Sequence, residues 1–295
     1  MKPSDIKPMD MKPTETLPTS KTIVLGTFAW IAVGTVVLAY ALFAYNPAGA
    51  TLGVANSAAR IGLYSEFVVG VVFPIALYGT YVISRIERFR APPGRYVPGQ
   101  KYSIFSPYNL AAMGVIAALY AAGSLFGSIT NFDIVAAVTA FAAVMFPPII
   151  PLVAIIVGGF LRFAITGISF LSPAAVPAFI VMDASRWVIA SWLIYTFVRS
   201  RGSGLGSFVT WVVMLPIILV QYSIMTLTQY FILNPFSAFL GNVAYMGTWF
   251  PTTIISAVVG LIAAEAAYRS VSRRQRRSDQ MMAAVAAKAP QATQP

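Results

Sequence analysis

Apolar runs of about twenty residues alternate with short polar connections along almost the whole chain. Eight such runs stand out, at 22–45, 62–83, 107–127, 132–147, 149–168, 174–198, 207–231 and 249–269. A helix needs about 20 apolar residues to cross a hydrocarbon core of about 30 Å. The pattern therefore predicts an all-α, polytopic membrane helix bundle of about eight spans. Pro74 is expected to kink the second span, because it removes a backbone donor. The corner Pro147-Pro148-Ile149-Ile150-Pro151 is expected to be a tight turn between the fourth and fifth spans.

The polar segments divide the chain. Residues 1–21 repeat a Lys-Pro pair three times among acids, a composition that cannot bury a core, and are expected to be a disordered tail. Residues 22–84 form a two-helix N-terminal extension. Residues 85–106 carry Arg85, Arg88, Arg90, Arg95 and Lys101 around Pro92-Pro93-Gly94 and read as a basic cytoplasmic linker. Residues 107–270 form a six-helix core, in which only 232–248 is a long connection. Residues 271–295 read as a basic and then disordered tail.

Composition agrees. Of the 295 residues, 58% are hydrophobic and 10% charged, against about 25% charged in an ordinary soluble domain. Mean hydropathy is +0.76. The chain has neither cysteine nor histidine, which excludes thiolate chemistry, bis-His haem and the usual zinc ligands. No metal or cofactor is expected. The formal net charge of +11 is not a nucleic-acid signature, because Lys and Arg gather beside the apolar runs. With eight spans, every basic cluster falls on one side. The positive-inside rule then puts both termini in the cytoplasm of a multi-pass protein of the cell membrane. Loops 46–60, 128–131, 169–173 and 232–248 fall outside.

Charges inside apolar helices are candidate sites, since an unpaired one costs several kcal/mol. Under this topology Asp133 and Arg162 lie near the outer ends of their spans, and Asp183 and Arg186, one turn apart on one face, lie in the outer half or middle of the sixth. They are expected to converge in an outward-facing pocket for a small-molecule substrate; the alternative is structural ion pairing. Tyr222 and Gln229 on the seventh span are further candidate contacts. Glu265 reads as a partner for Arg269. A different face carries Gly114, Ala118 and Ala122 at spacing four, with Ala117 and Ala121 beside them. Small residues at that spacing let helix backbones approach closely in lipid, so this face is a candidate partner-docking surface or an internal packing face. The chain has no GxxxxGK[ST] phosphate loop, so an ATP-driven transporter built on it needs its motor elsewhere.

The runs IAALYAAGSLFGS, PLVAIIVGGFLRFAITG and PAAVPAFIVMDASRWVIASWLIY, with the short span ending in FPP, resemble the substrate-binding S component of energy-coupling factor (ECF) transporters. The resemblance covers roughly 105–270. It implies a six-helix binding core whose first helix, through Ala117-xxx-Ala121 and Ala118-xxx-Ala122, docks on a transmembrane coupling subunit. That subunit in turn engages ATPase subunits. A vitamin or other micronutrient is the implied substrate, and the chain is implied to be no enzyme. The pair of spans at 22–83 departs from the minimal family. Two other readings use the same residues: a non-catalytic structural subunit of a large membrane complex such as a respiratory assembly, and an ion-coupled secondary transporter using Asp133 or Asp183.

Overall fold

The computed structural model describes residues 64–93, 95–97, 99–130, 132–166, 176–200, 211–212, 214–218 and 236–288. The expected first span, most of the seventh, and the tail 1–21 lie outside them. Secondary structure among the described residues is helical, with no strand. The helices are α1 (Tyr64–Ser84), α2 (Glu87–Arg90), α3 (Pro107–Thr130), α4 (Ile134–Met145), α5 (Ile149–Thr166), α6 (Val176–Phe197) and α7 (Phe236–Lys288).

Among the described residues, four stretches are long and apolar enough to cross a membrane: Tyr64–Ser84, Pro107–Phe126, Val176–Phe197 and Pro251–Arg274. α4 and α5 are apolar but shorter. α4 is shorter than the expected fourth span: its 12 residues reach about 18 Å. It is bounded by Asp133, which caps its first turn by accepting from the Ala136 amide at 3.0 Å, and by Phe146-Pro147-Pro148, which cannot continue a helix.

The proline corner is a reversal and not a kink. Ile134 at the start of α4 touches Gly123 near the end of α3, whereas Pro147 and Pro148 line a small cavity with Asn109 at the start of α3. α5 then runs back up α3, with Gly158 against Ala117 and Tyr120. The last carbonyls of α4 and the corner would be orphaned in an apolar setting. α6 satisfies them from one face. Arg199 donates to Val144 at 3.1 Å, Tyr195 to Met145 at 3.0 Å and Ser191 to Phe146 at 3.0 Å.

α6 is the buried axis of the assembly. Its mean hydropathy is the lowest of the four spans, yet it is the most buried, because other helices surround it. α1 packs along it, with Gly79 flat against the Trp192 ring and Tyr78 edge-on to the same ring. Tyr64, Val72, Ala76 and Ile83 of α1 join the same hydrophobic core as α3 to α7. The second span is therefore integral to the core and not appended to it. Just before Pro74, α1 contains a π-helical turn at Val68–Val72, in which the Phe73 amide reaches back to the Val68 carbonyl.

The basic linker is also partly built in. Ile86, Phe89 and Ala91 are buried, Phe89 stacks edge-on against Tyr195, and Arg88 donates to the Ser200 carbonyl at 2.8 Å. α7 corrects two further expectations. The connection expected at 232–248 is helical from Phe236, and the tail expected to be disordered is helical as far as Lys288. The reason is composition: Ala and Met dominate 281–287, and both are strong helix formers that extend the span already formed. Fifty-three residues make a rod of about 80 Å, so α7 must project beyond any bilayer it crosses.

Candidate functional site

The sequence singles out four intramembrane charges, and the fold separates them. Asp183 lies on α6, 3% exposed, facing α3 and α1. Its Oδ2 accepts from the Tyr120 hydroxyl of α3, and its Oδ1 pairs with Arg186 one turn later. Tyr64 of α1 is fully buried and lies within electrostatic reach of both Asp183 and Arg186. Its hydroxyl finds no hydrogen-bond partner among the described residues. Arg162 of α5 is half-buried, within electrostatic reach of Tyr120 and 5.7 Å from the Phe163 ring centroid. Three helices therefore supply one polar cluster: Asp183 and Arg186 from α6, Tyr120 from α3 and Tyr64 from α1, with Arg162 of α5 beside it.

Asp133 belongs elsewhere. It caps α4 and accepts from Thr253 of α7 at 2.9 Å, so it ties α4 to α7 instead of joining Asp183. The expected convergence of all four charges is corrected for Asp133. Tyr222 and Gln229 lie outside the described residues. Sequence reasoning missed Tyr64 and Tyr120, since a tyrosine in an apolar run reads as an interfacial residue. Their one signal is position, each facing the Asp183 end of α6.

A second buried cluster lies at the opposite end of the bundle. Glu265 of α7 is 3% exposed. As the spacing suggests, its Oε1 takes Arg269 Nε at 2.6 Å. Its Oε2 lies 3.0 Å from Arg199 Nη2, just past the end of α6, an ion pair without hydrogen-bond alignment. The Arg199 guanidinium also lies over the Tyr268 ring, 3.5 Å from its centroid. This cluster joins α4, α6 and α7, and its arginine was readable from sequence only as one more interfacial base.

The small-residue face of α3 divides in two. Ala117 and Ala121 are buried, and a Cβ on Gly158 of α5 would meet the Ala117 carbonyl oxygen at 2.8 Å. Those two alanines serve internal packing and are corrected out of the docking set. Gly114 and Ala118 are exposed and Ala122 is half-exposed, with open space beside Gly114. This second row is the part of the face left open.

The cluster can hold charge in a low-dielectric interior because Asp183 meets both the Arg186 guanidinium and the Tyr120 hydroxyl. Arg162 and Arg186 are its more accessible members, and both are donors suited to a carboxylate or phosphate. Among the described residues no group of three or more His, Cys, Asp or Glu could hold a metal ion. No protein-family model, curated protein or solved structure matches the chain.

Proposed function

We propose that the chain is the membrane-embedded substrate-binding subunit of an ECF-type importer for a vitamin or other micronutrient. It sits in the cell membrane with both termini cytoplasmic, is not itself an enzyme, and works with a transmembrane coupling subunit and separate ATPase subunits. The observation that carries the reading is that α3 has two working faces. Its inner face presents Tyr120 to Asp183, and its outer face presents Gly114, Ala118 and Ala122. A partner gripping the outer face would move the helix that holds one wall of the polar cluster. In this reading Arg162 and Arg186 face the ligand, with Tyr222 and Gln229 as further contacts. Asp183 and Tyr120 orient Arg186.

The test is uptake by proteoliposomes. Transport should require ATP and co-reconstituted ATPase and coupling subunits. Ala118→Leu should abolish it while small-molecule retention stays near wild type, because a larger side chain there separates the helices that meet. ATP-driven uptake by this chain alone, or full activity of Ala118→Leu, would refute the reading. The rival is a structural subunit of a larger assembly, favoured by the internal pairing of Asp183 with Arg186 and of Glu265 with Arg199 and Arg269. No small molecule would then travel with the purified protein.

A further inference from the structure

One stripe of α7 runs along its outward face from apolar to arginine. Ile255, Val259 and Ile262 are 58%, 47% and 50% exposed, and Ala266 is exposed below them. At spacings of three and four these residues lie on one side of the helix. Continuing with the same spacing, the stripe meets Arg269, Arg273 and Arg277, and the last two are exposed. The inner side of the same stretch is buried: Ala257, Leu261 and Ala264 join the core. From Ile255 to Ala266 the rise is about 16 Å, close to one leaflet of a hydrocarbon core of about 30 Å. Arg273 follows about 10 Å further on, at the depth where headgroup phosphates begin.

We infer that this stripe is a binding site for an anionic phospholipid. The acyl chain lies along Ile255, Val259, Ile262 and Ala266, and the headgroup phosphate is held by Arg273 and Arg277. Arginine suits this role because its planar fork donates two parallel hydrogen bonds to a phosphate. The upper arginine of the row is fixed in place. Arg269 is tied to Glu265, which also holds Arg199, so the row starts from a rigid point. A free, acidic soluble partner fits less well, because it would leave the apolar half of the same stripe without an occupant. The site is independent of what the protein transports.

The experiment uses the full chain released from mixed micelles containing phosphatidylglycerol and phosphatidylcholine, with retained lipid counted by native mass spectrometry. Wild type should retain phosphatidylglycerol preferentially, and rising salt should reduce the preference. Each arginine near an anionic surface is worth about 1 kcal/mol, roughly fivefold in affinity. The double variant Arg273→Gln/Arg277→Gln should therefore lower phosphatidylglycerol retention by roughly 25-fold. Arg85→Gln/Arg95→Gln, with the same charge change elsewhere, should leave it unchanged. A thermal-stability comparison guards against a folding defect: phosphatidylglycerol should raise the melting temperature of wild type and not of the Arg273/Arg277 variant. Equal retention of the two lipids by wild type would overturn the inference. So would unchanged retention in the double variant, or a loss confined to binding of an acidic protein partner.

Discussion

Gly260→Ala tests a close backbone contact between α4 and α7. A Cβ built on Gly260 of α7 would lie 2.0 Å from the Ala137 carbonyl oxygen of α4, with the carbonyl carbon at 2.8 Å and Cα at 2.9 Å. All three atoms are backbone, so no rotamer change relieves the clash. Restoring ordinary contact at about 3.4 Å requires α4 and α7 to separate by roughly 1.4 Å at this level. That separation also acts on a tie between the same helices. The Asp133–Thr253 hydrogen bond of 2.9 Å would exceed bonding distance if it opened equally, at a net cost of about 1 kcal/mol. Overpacking itself costs about 1–3 kcal/mol. Against this, alanine gains about 1 kcal/mol of helix propensity over glycine. The expected net is a loss of about 1–3 kcal/mol. Gly114→Ala is the internal control. Nothing lies within 4 Å of its Cβ, so only the propensity gain remains and stability should hold or rise. Thermal unfolding in detergent, followed by intrinsic tryptophan fluorescence, reads both. Gly260→Ala should melt several degrees below wild type and Gly114→Ala at or above it. A Gly260→Ala protein as stable as Gly114→Ala would refute backbone-to-backbone packing of α4 on α7.

Two further outcomes follow from the charge pairs and the topology. Glu265→Gln should destabilise by about 3–5 kcal/mol, since it leaves Arg199 buried beside a neutral group, and Arg199→Met combined with Glu265→Leu should recover much of the loss; a double variant less stable than either single one would contradict this. In this cysteine-free chain, Phe132→Cys at the α3–α4 connection should react with an impermeant maleimide in intact cells, whereas Arg95→Cys should stay silent; the reverse labelling would invert the proposed topology.

The sequence by itself determined the helical class, the membrane setting and the intramolecular partner of Glu265. These follow from local physics. Run length against bilayer thickness reads as spans, proline placement reads as the Pro147-Pro148 reversal, and i,i+4 spacing reads as the Glu265–Arg269 pair. The tertiary structure decided which of the equivalent-looking residues meet. Ala117 and Ala118 are neighbours in the chain, yet one packs beneath Gly158 and the other faces outward, because a helix turns by about 100° per residue and only the packing of α5 fixes which side is inside. Asp133 and Asp183 read alike as lone intramembrane acids. Each also has a local partner, but one bonds Thr253 and the other Tyr120, and those two come from helices more than fifty residues away in the chain. Arg199 reads as an interfacial base, and it became a buried clamp only because α4 ends at the prolines with carbonyls to satisfy and Glu265 arrives from α7. Periodicity fixes what each helix can present. Which presented groups are used depends on distant segments, and local pattern carries no information about those.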